Sequence, residues 1–493
     1  MGVLGERRTE IQARLDEVAA KHGIPGMAVG LLSGEETLEA ATGVVNIDTG
    51  VEATPDAVFN IGSVTKMYTA TLVMQLVARG LVDLSAPITT YLPELRMEET
   101  ADISDITVLH LLTHTSGIEG DCFFDTGRGD DAIEKLVARL DHVGLIHAPG
   151  EMWSYSNSGF VLAGRIIEKV TGLPWHEALD TMLLRPLGAP TPVTLSDDVI
   201  RYRAAVGHAR NAETGSLETT TYGRIPFSNS PAGSGSFARV SDVLRFARLH
   251  LDGGLTADGA RLLPEDLVRS MQDHHFDQPL SLLRGQGIGW FLLGIEPELL
   301  LTHVGETEGF LSLLIVAPER RFALVSLANA EQGLEANIEL AFWVGSELVG
   351  ITAELPGQRV AGTSPPPDDL SPFAGTYRRL AAVIEVAVDG SEVVVHTDGD
   401  RGAGPATAPT TARLRPISAT VFRDTAGGVF PSEFLDFDEE GRPRYFHSGL
   451  RAHRRTMTVS RSRHLAGSTR QREDHDVPAT LPSSDAKTND GVS

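Results

Sequence analysis

The chain has 493 residues, 41% of them hydrophobic and 22% charged, a formal net charge of -24 and one cysteine, Cys122. That length exceeds what a single hydrophobic core organises. The negative balance excludes nucleic acid as a partner, because phosphate binding needs clustered Lys and Arg, and one cysteine excludes an intrachain disulfide, so nothing demands an oxidising compartment.

In residues 1–20, Glu6, Arg7, Arg8, Glu10, Arg14, Asp16 and Glu17 are interspersed with Ile11, Leu15 and Val18, the spacing of an amphipathic helix rather than a signal peptide. No window approaches the roughly 20 apolar residues of a membrane-spanning helix, so no membrane partner and a cytoplasmic location are expected. Segments 26–32 and 38–43 read as the strands of a hairpin. Residues 63–81 are apolar on nearly all sides, which predicts a buried helix stopped at Gly80. Further helices are expected over 131–140, 158–171 and 241–251, the last capped by Ser241. Four apolar runs, 287–292, 298–303, 309–316 and 322–328, predict an antiparallel meander, and a helix over 335–348 closes the region. Strands at both ends with helices between them predict an α+β domain whose sheet is assembled from N- and C-terminal segments.

Residues 362–369 include three consecutive prolines, Pro365 to Pro367, and have the composition of a semi-rigid linker. Short Gly- and Asp-punctuated strands beyond it predict a small antiparallel β-barrel. The expected organisation is a domain over 1–352, a Pro-rich linker over 353–372, the barrel over 373–458 and a disordered tail over 459–493. Arg451 and the other arginines up to Arg463 read most simply as a solvated face.

Three short motifs carry chemistry. Ser63-Val64-Thr65-Lys66 opens the apolar helix, so the hydroxyl and amine share one face a turn apart. A serine hydroxyl needs a neighbouring base, and a lysine serves if burial lowers its pKa from about 10.4 towards 7 or 8. The spacing is not unique, since Ser484 and Lys487 share it, but among five lysines Lys66 alone precedes a long apolar helix. Two readings fit it: a base, or a side chain snorkelling from the first turn. Tyr155-Ser156-Asn157 precedes the next helix; Tyr155 is a relay and Asn157 orients Lys66 and a substrate carbonyl, or else Tyr155 is packing and Asn157 or Ser158 is the N-cap. His303-Val304-Gly305 closes one strand before another, and Gly305 allows close backbone approach; His142-Val143-Gly144 is identical, and a surface histidine at a strand end is the alternative.

In that order, the three motifs resemble the serine β-lactamase and penicillin-binding-protein-like superfamily, closest to its class C-like branch of esterases and D-aminopeptidases. Residues 111–117 (Leu-Leu-Thr-His-Thr-Ser-Gly), 148–151 and 287–290 reinforce the likeness, which covers about 11–348. It implies an antiparallel sheet flanked by helices with an all-helical subdomain, followed by a lipocalin-like barrel. It further implies that Ser63 is acylated, Lys66 and Tyr155 share acid and base roles, Asn157 contacts substrate and Lys66, and the Ser63 and Glu306 backbone N–H groups form an oxyanion hole. His303 and Gly305 would line the substrate site. The departure is His303, where penicillin-recognising members place a lysine that attracts a carboxylate.

The expected activity is hydrolysis of a small ester, amide or peptide substrate through an acyl-enzyme. The alternatives are a non-hydrolytic ligand-binding or sensory module, or a weak β-lactamase or DD-peptidase. No cofactor is expected: Asp273-His274-His275 lacks metal-ligand spacing, and no Gly-x-Ser-x-Gly elbow occurs. His114 reads as structural, and oligomeric state is left open.

Overall fold

A computed structural model describes residues 3–189, 196–211, 213–220, 225–278, 285–295, 298–351, 364–399, 409–427 and 430–456. By contacts the chain forms two units, Met1–Thr456 and Met457–Ser493; the expected tail and most of the linker lie outside the described residues.

The predicted N-terminal helix is α1 (Arg8–His22), which buries Ile11, Leu15 and Val18. It is followed by the hairpin β1 (Gly26–Ser33) and β2 (Glu36–Asn46), and by a short β3 (Val51–Glu52). The helix α2 (Thr65–Ala78) has buried residues on every side, as its all-round apolarity requires. Helices α3 (Asn157–Thr171) and α4 (Val240–Leu251) follow. The C-terminal part of the sheet comprises β4 (Gly285–Gln286), β5 (Phe291–Ile295), β6 (Glu298–Thr307), β7 (Phe310–Ala317) and β8 (Phe322–Ala328), and α5 (Gly333–Val344) packs over β7 and β8.

These strands form one eight-stranded sheet in the order β3-β2-β1-β8-β7-β6-β5-β4. β1 pairs antiparallel with β8 from Met27↔Ala328 to Ser33↔Phe322, so the two ends of the domain are joined at its centre. One core cluster lies between the sheet and the helices α2, α3 and α4; a second lies under α1 and α5 on the other face. Eight further strands, β9 (Gly375–Arg379), β10 (Ala382–Asp389), β11 (Glu392–Gly399), β12 (Thr410–Pro416), β13 (Val421–Asp424), β14 (Ser432–Phe437), β15 (Pro443–Ser448) and β16 (Arg451–Arg455), close into a barrel around Phe373, Tyr377, Phe422, Phe434 and Phe446. Among the described residues no helix is long and apolar enough to cross a membrane.

Three local expectations change. Residues 287–290 form a turn closed by Gly287 N donating to Trp290 O (2.8 Å), with Gly289 at φ 80°, so the strand starts only at Phe291. The helix expected to be capped by Ser241 begins one residue earlier, after Arg239. β6 runs unbroken through His303-Val304-Gly305, which places His303 mid-strand and fully buried rather than at an exposed strand end.

Candidate active site

Ser63 lies in a single 3-10 turn, Gly62–Val64, that feeds directly into α2. Ile61 N donates to Ser236 O (2.9 Å) and Gly62 N to Asn60 Oδ1 (2.8 Å), which fixes the turn at the sheet edge. A Cβ on Gly62 would lie 3.0 Å from Glu306 N, so the Ser63 turn and the β6 edge are in contact. Because β5 pairs with β6 only from Glu298 to Thr302, residues 303–307 have no strand partner on that side among the described residues.

Gly305 is required for a different reason from the expected one. A Cβ there would fall 2.0 Å from Ile61 O and 2.3 Å from Ser312 Oγ. The missing side chain lets the Ser63 turn pack on β6 instead of making room for a substrate.

Lys66 has no exposed surface and snorkels nowhere. Its Nζ contacts Asn157 Oδ1 at 2.7 Å, Ala232 O at 2.6 Å and Ser63 Oγ at 3.1 Å. Burial pushes its pKa well below the ordinary lysine range, the Arg451 charge acts the same way, and Asp121 opposes both. A neutral amine has two N–H donors and one lone pair. The two shorter contacts are to atoms that accept the N–H donors, which leaves the lone pair facing the Ser63 hydroxyl.

Asn157 does not cap α3; Ser156 does, its Oγ accepting from Gly159 N at 2.9 Å. This frees the Asn157 amide to bridge Lys66 and, through Nδ2 at 2.7 Å, Asp121. The Tyr155 phenol lies against the Ser63 side chain, and burial raises its pKa, so the phenol keeps its proton. Its ring stacks on His114 (centroids 4.4 Å apart), whose Nδ1 accepts from Ser156 N at 3.0 Å; His114 therefore supports the Tyr155 loop, in keeping with a structural role. His303 Nδ1–H donates to Val304 O at 2.7 Å, so Nε2 is unprotonated, and that nitrogen is buried without a partner. Burial first, and Lys66 second, push the His303 pKa down to about 3, which leaves the ring neutral.

The turn, the Tyr155 loop, α3 and β6 thus bring Ser63, Tyr155, Asn157, His303 and Glu306 to one cavity of about 930 Å³, with Lys66 fully buried beside Ser63. Beyond the site its walls are apolar, with Leu293, Leu300 and Ile315 from the sheet and Ile338 and Phe342 from α5. Among the described residues no cluster could hold a metal ion. Cys122 is buried, and desolvation pushes its thiol up to about 12, so it is no nucleophile.

Sequence reasoning missed Asp121, Arg451 and the Ala232 carbonyl. Arg451 is not on a solvated face: its Nε and Nη2 donate to Asp121, each at 2.9 Å, and its Cζ lies 4.7 Å from the Tyr155 ring centre. Asp121 belongs to a loop and Ala232 ends the 3-10 helix Phe227–Ala232, and no local signal marked either.

A helix-covered antiparallel sheet carrying a buried lysine beside a helix-initial serine defines a β-lactamase-fold serine hydrolase. Residues 11–346 match the Beta-lactamase family, and the chain belongs to it. It is 35% identical over 371 residues to penicillin-binding protein 4 of Amycolatopsis lactamdurans, covering 75% of this chain and 97% of that one. It is 30% identical to esterase EstB of Burkholderia gladioli over 48% of this chain and 69% of EstB. The crystal structure of SurE superposes with a TM-score of 0.71 at 27% identity, covering 92% of this chain and all of SurE. A D-amino acid amidase from Ochrobactrum anthropi (24% identity, TM-score 0.57, 68% of this chain and 98% of that one) shares the fold.

Proposed function

We propose that this chain hydrolyses a small ester or amide through an acyl-enzyme on Ser63. The carrying observation is the set of three Lys66 contacts, which directs the amine lone pair at Ser63 Oγ. Lys66 takes the hydroxyl proton as Oγ attacks the carbonyl carbon, and the backbone N–H groups of Ser63 and Glu306 stabilise the oxyanion. Tyr155, protonated at rest, gives its proton to the leaving alcohol or amine and recovers one from Lys66. Water then cleaves the acyl ester by the reverse sequence, which frees the acid and restores Ser63.

The neutral His303 argues for substrates without a carboxylate at that position, hence esters or D-aminoacyl amides rather than penicillins. Arg451 is the cation nearest the cavity, and its charge is matched by Asp121. The names of the esterase and amidase relatives fit the same substrate class.

The test compares kcat/KM for p-nitrophenyl esters, D- and L-aminoacyl amides and β-lactams in wild type and Ser63→Ala, with intact-mass analysis after a fluorophosphonate. Turnover and single-site labelling that vanish together in Ser63→Ala are expected. Saturable binding with no turnover, or undiminished labelling of the variant, would overturn the assignment.

A further inference from the structure

Asp121 and Arg451 lie outside every motif of the site, yet both pack against it. Asp121 accepts from Asn157 Nδ2 at 2.7 Å and from Arg451 Nε and Nη2 at 2.9 Å each, and forms an ion pair with Arg379 Nη2 at 3.1 Å. Arg379 also donates to Glu119 Oε1 at 2.7 Å, and Leu380 N donates to Glu119 Oε2 at 2.7 Å. Both arginines come from the barrel, on β9 and β16. The turn between β15 and β16 and the start of β16 also hold the Tyr155 loop: Tyr155 N donates to Leu450 O at 2.9 Å, and Ala452 N to Ser154 Oγ at 3.1 Å.

An asparagine amide can be turned through 180°, which exchanges its donor and acceptor ends. Turned that way, Asn157 would present N–H groups to Lys66 and could not receive an N–H from it. A carboxylate at Asp121 accepts only, so it admits only Nδ2 on its side. The bidentate Arg451 fork fixes that carboxylate in turn. Arg451 Cζ and Lys66 Nζ also lie 4.7 and 4.8 Å from the same Tyr155 ring centre, so a charge on Arg451 disfavours a second charge on Lys66.

We infer that the C-terminal barrel is a working part of the reaction centre, with Arg451 and Asp121 as positioning residues that orient Asn157 and set the charge around the Lys66 amine. This rests on the reading of Lys66 as the base for Ser63. The charged and titratable groups around Lys66 are Asp121 from the loop before Cys122, Arg451 from the barrel, His114 and Tyr155 from the stacked loops, and His303 from β6; Arg379 and Glu119 act on it through Asp121. Among them Arg451 opposes protonation of Lys66 and Asp121 favours it. The two substitutions therefore act with opposite sign.

The experiment uses the full chain and a p-nitrophenyl ester, with kcat/KM measured across pH for wild type, Arg451→Gln, Arg451→Lys and Asp121→Asn, and melting curves for all four. Arg451→Gln is expected to lose about tenfold or more at neutral pH. Its acid limb moves to higher pH, so the deficit shrinks as the solution becomes alkaline. Asp121→Asn moves the limb to lower pH, and Arg451→Lys, which keeps a charge but not the fork, lies between Arg451→Gln and wild type. Folded variants whose profiles are the wild-type curve merely scaled, or whose limbs move the same way, overturn the inference. If Arg451→Gln does not fold, the signs in Asp121→Asn and Arg451→Lys decide it. Fluorophosphonate labelling of the wild type is read separately: labelling at Ser63 with unmoved limbs defeats this inference alone, whereas no labelling defeats the hydrolase reading beneath it.

Discussion

Lys66 Nζ and Asn157 Oδ1 lie 2.7 Å apart, joining the first turn of α2 to the first residue of α3 across 91 positions of sequence. On the reading of Lys66 as an uncharged base, this contact and the one to Ala232 O take up its N–H groups and leave its lone pair for Ser63. Four expected outcomes follow from that arrangement and its surroundings.

The first concerns pH. On the proposed mechanism Lys66 acts as a free base, so kcat/KM is expected to fall as pH drops through its pKa. Burial first, and Arg451 next, lower that pKa, and the acid limb is expected well below the ordinary lysine value of about 10.4. Lys66→Ala should cost about 10²- to 10⁴-fold in acylation rate. A wild-type limb at the ordinary lysine position would contradict the assignment.

Tyr155→Phe keeps the ring that stacks on His114 and removes only the hydroxyl. Its melting temperature should therefore stay close to wild type while kcat falls by about 10²-fold or more. The loss should be smaller for esters with good leaving groups, which need less protonation. A uniform loss across leaving groups would point to packing instead of proton transfer.

His303→Lys places an amine where His303 Nε2 lacks a partner. The ratio of kcat/KM for a carboxylate-bearing β-lactam to that for a neutral ester should rise by about tenfold, the worth of one charged hydrogen bond. An unchanged ratio would show that this position does not select substrate charge.

Gly305→Ala places a methyl group 2.0 Å from Ile61 O. The Ser63 turn must move away from β6, at a cost of about 1–3 kcal/mol, together with loss of activity as Glu306 N separates from Ser63. Denaturant unfolding and ester turnover read the two effects; a variant with wild-type values in both would refute the role given to this glycine.

The hairpin at 26–43, the buried helix after Ser63 and the apolar strands before α5 were legible because each rests on a local rule: period-two or all-round apolarity, bounded by glycine. The order of the Ser63, Tyr155 and His303 motifs likewise carried the family. The strand expected to start at Gly287 failed because the positive φ of Gly289 and the closed turn at Trp290 outweigh the apolar side chains around them. Ser241 failed as a cap because the helix starts before it.

Sequence by itself determined that a hydroxyl and an amine stand one helical turn apart on a helix too apolar to face water. Tertiary structure alone decided what surrounds that amine. Asp121 lies 36 residues from Asn157 and Arg451 lies 330 from Asp121, and their contact is made by closing a barrel onto a loop. The charge state of Lys66 depends on burial and on those distant partners, and neither has a local pattern in the chain.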